Sequence, residues 1–320
     1  MSPQNPAPVA LAAEAGRRLN ALRAQRPLVQ AITNYVSMDV AANALLAIGA
    51  SPAMIHAPEE AEDFGAIANA LVVNIGTLST DWVVGMEAAA KVAAKNGRPW
   101  ALDPVGVGAT RFRDETTRRL LALKPTIVRG NASEIMACAR IVGLHEEAAA
   151  PKGVDSAHGT EAARASAVAL ARRQNCVVAA TGAVDLVTDG ERVVEIANGS
   201  PLMAKVTALG CALSAIVAAF AAGAPDAFLA TVAAIGVYGV ERVDKGDAET
   251  SGADRDAHAG ALIWPSTPPA CGCAWSPTAA WRGGATSSTS RWRPCAAARR
   301  WCSSGRRTRP PAPSSSRRGR

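Results

Sequence analysis

Apolar and polar positions follow two alternating patterns along residues 28–240. Runs of about six mostly β-branched residues are followed by stretches of about 12 to 17 residues with helical periodicity. This order is typical of right-handed βαβ units and predicts an α/β domain with a mostly parallel sheet. The predicted strands are almost continuously apolar, as expected of strands covered by helices on both faces. They are Leu28–Thr33, Leu71–Gly76, Pro99–Val105, Thr126–Asn131 and Cys176–Gly182.

Each predicted strand ends in polar residues or glycine. In open α/β sheets, ligands bind at the carboxyl ends of the strands. These ends therefore predict one binding site along a single edge of the sheet. The end segments are Thr33-Asn34, Asn74-Ile75-Gly76-Thr77, Asp103-Pro104-Val105-Gly106, Arg129-Gly130-Asn131 and Thr181-Gly182.

A long apolar helix is predicted to begin near Ala208, after a polar hairpin formed by Asp185–Gly190 and Arg192–Ala197. Its first N–H groups lack intrahelical partners and form an anion site suited to a phosphoryl group. Cys211 lies in the first turn, where the helix dipole is expected to lower the pKa of a thiol. From the residues alone, Cys211 is either a catalytic thiol or a small buried helix residue.

The same region allows a membrane alternative, because 206–224 contain no charged residue and meet the ~18-residue length of a spanning helix, and 227–240 nearly repeat the pattern. Their content of small residues and the interruption at Pro225-Asp226 instead favour two buried core helices.

Two carboxylates are candidates for a magnesium site. Asp103 ends a predicted strand and can hold Mg²⁺ through water, or it can satisfy the amides of its own turn. Glu134 follows Asn131 by three residues, the spacing of a helix capping box, and the same pair could also reach a metal-bound water. The sequence leaves both alternatives open.

Charge and cysteine content differ between the two parts of the chain. Residues 261–320 contain 11 arginines and no lysine, aspartate or glutamate, whereas 1–260 contain 23 basic and 27 acidic residues. The main part therefore has no basic surface for nucleic acid. Cys138, Cys176 and Cys211 are scattered singly, which is typical of the reducing cytoplasm, and the start of the chain does not have the pattern of an export signal.

The segment 251–320 is predicted to be an aberrant tail outside the domain formed by 1–250. It is rich in Arg, Ser, Pro and Trp and has no periodic apolar face. This mixture is similar to a GC-rich gene translated out of frame, a hypothesis that resequencing the gene would test.

Several common catalytic motifs are absent from the sequence. It contains no Walker A loop, no Gly-x-Gly-x-x-Gly after a strand and no paired metal-binding Cys or His spacing. P-loop NTPases, NAD enzymes and hydrolase triads are therefore disfavoured.

Six segments, in order and in register, strongly resemble the hydroxyethylthiazole kinase family over about residues 17–248. They are Gln30-Ala31-Ile32-Thr33-Asn34, Gly49-Ala50-Ser51-Pro52-Ala53-Met54, Asn74-Ile75-Gly76-Thr77-Leu78, Asp103-Pro104-Val105-Gly106, Arg129-Gly130-Asn131-Ala132-Ser133-Glu134 and Val206 through Cys211. The resemblance implies a ribokinase-like three-layer α/β/α fold. It also implies a cytoplasmic homotrimer that uses Mg²⁺ and ATP to phosphorylate 4-methyl-5-(2-hydroxyethyl)thiazole in thiamine synthesis, in pockets between subunits.

The resemblance also implies roles for individual residues. Met54, Asn34 and the backbone of Ala208 are expected to contact the thiazole. Arg129, Thr181 and Gly210 are expected to bind ATP, and Asp103 and Glu134 to lie beside magnesium. Cys211 takes the position where most ribokinase-like sugar kinases have an aspartate, so we expect it to position the alcohol more than to deprotonate it.

Two departures from the family pattern bear on activity. Ala208 stands where many relatives have glycine, which we expect to be mild because only a methyl is added. The Gly-Pro-Gly-Ser-Phe-like segment and the final helix expected after about residue 248 are absent, which leaves an inactive thiazole- or nucleotide-binding remnant as an alternative. Another ribokinase-like ATP-dependent enzyme is a second alternative, against which Cys211 in place of an aspartate argues.

Overall fold

Eight strands form one sheet within the part of the chain that the computed structural model describes, residues 8–144, 156–200, 203 and 205–239. The helices and strands alternate through most of this part. In chain order they are α1 Pro8–Gln25, β1 Leu28–Ile32, α2 Met38–Ile48, β2 Ser51–Ala53, α3 Pro58–Ile67, β3 Ala70–Asn74, α4 Thr80–Lys95, β4 Trp100–Asp103, α5 Arg111–Ala122, β5 Ile127–Asn131, α6 Ala132–Ile141, α7 Ser156–Gln174, β6 Val177–Thr181, β7 Asp185–Thr188, β8 Val193–Ile196, α8 Leu209–Ala221 and α9 Ala227–Tyr238.

The sheet has the order β2-β1-β3-β4-β5-β6-β7-β8. All pairings from β2 to β6 are parallel, whereas β7 and β8 form the predicted hairpin and extend the sheet antiparallel. The mostly parallel sheet predicted from the sequence is therefore confirmed.

The five predicted strands are all present. Four of them end one or two residues earlier than predicted, and the strand predicted over Thr126–Asn131 ends at Asn131 as expected. Some of the residues placed at the strand ends, among them Thr33, Gly76 and Gly182, lie instead in the loops just beyond them, at the edge where the site was expected. The pattern did not indicate β2, which is three residues long and contains Pro52. Proline cannot donate to a sheet ladder, and β2 accordingly lies at the sheet edge beside β1.

Helices cover both faces of the sheet and form two apolar cores. Alternate strand residues point to opposite faces, so that Ala70 and Val72 join one core while Leu71 and Val73 join the other. The first core includes α1, α2, α8 and α9, and the second includes α3 to α7. The result is a three-layer α/β/α architecture.

The two uncharged segments considered as a membrane hairpin are α8 and α9, and their residues are buried in the first core. No helix among the described residues is long and apolar enough to cross a membrane.

Helix α9 is tied to the hairpin by Arg192. Its guanidinium donates to both carboxylate oxygens of Asp226 at 2.8 and 3.2 Å and lies 4.2 Å from the centroid of the Phe228 ring. Asp226 in turn caps α9 by accepting from the amides of Phe228 and Leu229. These contacts fix the start of α9 against the hairpin. The expected aberrant tail, 251–320, lies outside the described residues.

Candidate active site

A chain of polar side chains runs along the carboxyl ends of the parallel strands. Asn34 follows β1, Asn74 ends β3, Asp103 ends β4, and Arg129 and Thr181 belong to β5 and β6. Asn34 Nδ2 donates to Asn74 Oδ1 at 2.8 Å, and Asn74 Nδ2 donates to Asp103 Oδ2 at 2.7 Å. The structure thus brings together residues that the sequence placed at separate strand ends.

Asp103 lies at the centre of this chain and is fully buried. Its Oδ2 accepts from Asn74 and, at 2.8 Å, from Ser214 Oγ, while Oδ1 has no partner among the residues described. Burial raises the pKa of Asp103 to about 6, although Arg129, Ser214 and Asn74 each act to lower it. The nearby carboxylate of Glu134 adds to the rise.

Arg129, in β5, connects Asp103 at the end of β4 with Thr181 at the end of β6. Its Nη2 donates to Thr181 Oγ1 at 2.6 Å, and its Nη1 lies 3.8 Å from Asp103 Oδ2. A methyl group on Gly210 would lie only 2.9 Å from Arg129 Nη1. Glycine at position 210 therefore lets the guanidinium lie directly against the first turn of α8.

The N-terminus of α8 is an open helix end. Ala208 is its N-cap residue and has φ 66° and ψ 0°, so no capping side chain is available for the first amides of the helix. Gly210 and Cys211 are in the first turn, which places their N–H groups at the expected anion site.

The structure corrects the expectation that alanine at position 208 is mild. Alanine disfavours the left-handed conformation, at a cost of about 1 to 2 kcal/mol, because its Cβ approaches the following carbonyl oxygen. The added methyl therefore acts through the backbone conformation and not through bulk in the pocket.

The structure also overturns the expected lowering of the Cys211 pKa. Burial raises the pKa of this thiol, and the neighbouring Asp103 carboxylate raises it further. Asn34 Nδ2 donates to Cys211 Sγ at 3.3 Å. Desolvation and a nearby negative charge thus raise the pKa of the thiol by more than the helix dipole lowers it, and the thiol stays protonated at neutral pH.

Asn34 is held in one orientation by four contacts. Besides its bonds to Asn74 and Cys211, its Oδ1 accepts from the amides of Val36 and Ser37, each at 3.1 Å. Gly76 packs so closely that an added Cβ would lie 2.5 Å from Asn34 Nδ2. The side chain of Asn34 therefore has a fixed position at this end of the site.

Met54, the other expected thiazole contact, lies one residue past β2 and is partly buried against the first core. Because β2 pairs in parallel with β1, Met54 is at the same sheet edge as Asn34.

Glu134 forms the predicted capping box. Its Oε2 accepts from the Asn131 amide at 2.8 Å, and Asn131 Oδ1 accepts from the Glu134 amide at 2.9 Å. Its other oxygen, Oε1, accepts from the Gly106 amide at 2.9 Å. Glu134 thereby fixes the loop after β4 beside Asp103.

No group of three or more His, Cys, Asp or Glu side chains could enclose a metal ion within the described ranges. Any cation bound between Asp103 and Glu134 would consequently need oxygen ligands from water or substrate. That arrangement is common for Mg²⁺, which retains several waters and binds substrate phosphates.

A cavity of about 1130 Å³ opens beside the α8 N-terminus. Arg129, Thr181 and Gly210 line its polar end, and apolar side chains such as Leu213 and Ile235 line another part. Tyr238 also lines it and donates to the carbonyl of Leu209 at 2.9 Å, which holds α9 against the mouth of α8. The cavity combines polar lining groups with an apolar surface suited to a nucleotide base.

Asn74 and Ser214 are site residues that were not predicted from the sequence. Asn74 was visible only as part of a strand-end segment, and Ser214 as one more small residue in an apolar helix. The one available signal for Ser214 was its position four residues after Gly210, on the same helix face. Its bond to Asp103 spans 111 residues and required the tertiary structure.

Comparison with known proteins gives a consistent result. A family model described as the hydroxyethylthiazole kinase family matches residues 19–258. A hydroxyethylthiazole kinase from Rhizobium johnstonii is 59% identical over 226 residues, which cover 70% of this chain and 82% of the relative. Another from Cereibacter sphaeroides is 57% identical over 225 residues, covering 70% and 83%.

A solved structure shares the fold. The hydroxyethylthiazole kinase protein from Pyrococcus horikoshii OT3 is 40% identical, with a TM-score of 0.63, and the match covers 70% of this chain and 83% of that one. The predicted three-layer α/β/α fold is confirmed. With the matching family model, these similarities show that this chain is a kinase that belongs to the hydroxyethylthiazole kinase family.

Proposed function

We propose that this chain transfers the γ-phosphate of ATP to the hydroxyl of 4-methyl-5-(2-hydroxyethyl)thiazole. The observation that carries the proposal is the meeting of the Arg129 guanidinium, Gly210 and the uncapped start of α8 at one end of a large cavity. Phosphoryl transfer depends mainly on positioning and on electrostatic stabilisation of the phosphoryl oxygens. The guanidinium of Arg129 and the free amides at the start of α8 supply both the positioning and the electrostatic stabilisation.

ATP is proposed to bind with its phosphates at the polar end of the cavity. Arg129 and Thr181, already joined by a 2.6 Å hydrogen bond, would contact the phosphates together with the amide of Gly210. Leu213 and Ile235 offer apolar surface for the base. In this orientation the γ-phosphate would lie near the first turn of α8, which contains Gly210 and Cys211.

Magnesium is proposed to bind beside Asp103 and Glu134. The residues fit such an ion, because Oδ1 of Asp103 is a buried acceptor without a partner in the described part of the chain, and Glu134 adds a second negative charge nearby. A bound Mg²⁺ would neutralise charge on the β- and γ-phosphates. Both carboxylates are held by donors that fix their orientation before any ligand arrives.

Cys211 is proposed to orient the hydroxyl of the alcohol. A raised pKa, caused by burial and by Asp103, favours the protonated thiol, which cannot accept the alcohol proton, so a hydrogen bond from or to Sγ is its more effective contribution. A loose transition state needs little removal of the alcohol proton before the new bond forms. Asn34 and Met54, at the same sheet edge, are proposed to bound the thiazole.

The family resemblance supports further proposals about assembly and context. We propose a cytoplasmic homotrimer that acts in thiamine synthesis, with thiazole pockets between subunits and without a nucleic-acid or membrane partner. The exposed side chains of Tyr35 and Val36, 69% and 58% accessible, directly follow Asn34 and would be covered by a neighbouring subunit. Residues 1–250 are proposed as the kinase domain and 251–320 as a separate aberrant tail.

The function is tested by ADP release with ATP, Mg²⁺ and the thiazole alcohol, on the full chain and on a chain ending near residue 248. We expect turnover that needs both ATP and the alcohol. A pyrimidine or pyridoxal alcohol serves as the control substrate. Thermal stabilisation by ATP and by the thiazole without turnover would favour the inactive-remnant alternative, and turnover only in the shorter chain would show that 249–320 inhibit the enzyme.

A further inference from the structure

The carboxylate of Asp103 is held on one side only. Asn74 Nδ2 and Ser214 Oγ both donate to Oδ2, at 2.7 and 2.8 Å. Oδ1 is buried and has no hydrogen-bond partner among the described residues. Two donors on one oxygen and none on the other leave a single buried oxygen able to bind a ligand.

The two donors come from different layers of the fold. Asn74 is the last residue of β3, and Ser214 lies in the second turn of α8, about one turn past Gly210. Their shared acceptor therefore joins the central sheet to the helix whose N-terminus faces the cavity. Any rotation of the Asp103 carboxylate would break at least one of these bonds.

Asn74 is itself fixed by further contacts. Its Oδ1 accepts from the Gly76 amide at 2.9 Å and from Asn34 Nδ2 at 2.8 Å. Asn34 also donates to Cys211 Sγ. Asn74 thus links the cysteine expected to face the alcohol with the carboxylate expected to face the metal.

We propose that Asn74 and Ser214 are positioning residues that fix the Asp103 carboxylate so that Oδ1 alone faces the phosphoryl-transfer site. This inference rests on the proposed function and extends it to two residues that were not assigned a role there. Both act through Asp103, and neither is placed in contact with ATP or the alcohol.

The competing explanation is that both side chains only satisfy buried polar groups. Ser214 and Asn74 are each fully buried, and buried polar groups require partners whether or not they serve catalysis. The two explanations differ in what a substitution changes. Loss of a structural bond lowers stability, whereas loss of a positioning bond lowers kcat at nearly constant KM.

The cleanest variant is Ser214→Ala, because alanine fits the helix and removes only the hydroxyl. Thr231→Ala is the matched control. Thr231 is an equally buried hydroxyl on α9, and it donates to the carbonyl of Ala227 in its own helix at 2.8 Å. Ser214→Thr keeps the hydroxyl and tests rescue.

For Ser214→Ala we expect kcat to fall about 10-fold, the effect of losing one hydrogen bond to a charged group, with KM for ATP and the alcohol changed less than about threefold. Ser214→Thr should recover most of that loss, and Thr231→Ala should retain the wild-type kcat. Asn74→Ala is expected to lower kcat further than Ser214→Ala. In the Asn74→Ala/Ser214→Ala double variant, kcat should fall by less than the product of the two single decreases, because both donors act on one oxygen.

A second readout does not depend on turnover. Crystal structures of the wild type and Ser214→Ala, without nucleotide, should show the Asp103 carboxylate rotated toward Arg129 in the variant. An unmoved carboxylate, or a lower melting temperature with unchanged kcat, would overturn the positioning role. If the wild type binds ADP but does not phosphorylate the alcohol, the proposed function fails, and the crystal structures still decide the question for Ser214.

Discussion

Replacing Gly210 by alanine tests whether the guanidinium of Arg129, beside the N-terminus of α8, binds phosphate. The new methyl would lie 2.9 Å from Arg129 Nη1 and 3.2 Å from Nη2. Ordinary van der Waals contact begins about 0.5 Å farther out. The guanidinium must therefore retreat from α8, and its 2.6 Å bond to Thr181 Oγ1 must lengthen or break.

The expected effect follows from that bond and from the displaced charge. A hydrogen bond involving a charged group contributes about 1.5 to 3 kcal/mol. Loss of one such bond between the displaced Arg129 guanidinium and a phosphate should weaken ADP binding about 10- to 100-fold. Stability should change little, because alanine is favoured over glycine in a helix by up to ~1 kcal/mol, and this gain offsets the cost of moving Arg129.

Calorimetric titration with Mg-ADP and thermal unfolding measure the two quantities separately. Gly16→Ala is the matched control, because Gly16 lies within α1 and an added methyl there would meet no atom within 4 Å. It should keep the wild-type affinity for ADP. If Gly210→Ala binds ADP within twofold of that control, Arg129 is not a phosphate ligand and the proposed placement of ATP is wrong.

Three further predictions follow from the same site. Ala208→Gly should stabilise the protein by ~1 kcal/mol, because glycine adopts the observed φ of 66° without strain; urea unfolding showing an equal or less stable variant would contradict this. Cys211→Ala should slow turnover, whereas Cys211→Asp should keep or raise it, because nearby Asp103 would raise the pKa of the new carboxylate and make it a better base. Wild-type steady-state rates in both variants would remove Cys211 from the mechanism. Asp103, whose pKa is raised from 3.8 to about 6, binds its proton more tightly when folded. The free energy of unfolding of the metal-free wild type, relative to Asp103→Asn, should therefore fall by ~3 kcal/mol as the pH rises from about 4 through 6 and should then level off. Unfolding titrations that show a difference independent of pH would refute the raised pKa of Asp103.

The sequence by itself determined the order of the elements and the edge of the sheet that carries the site. Periodicity is a local property, and strands covered on both faces have a distinctive apolar pattern, so the five central strands could be predicted. The Asn131–Glu134 capping box was likewise visible, because its two residues lie three positions apart. β2 was missed, since three residues containing a proline carry too little pattern.

Only the tertiary structure decided how the site residues act on one another. The pKa of Cys211 depends on burial and on Asp103, which is distant in sequence, and these reverse the direction expected from the helix end alone. The left-handed conformation of Ala208 is visible only in the folded backbone. Asn74 and Ser214 meet at one oxygen of Asp103 only because β3, β4 and α8 pack together. Desolvation, close approach and shared hydrogen bonds are properties of distances between remote segments, and a linear pattern of residue types does not contain those distances.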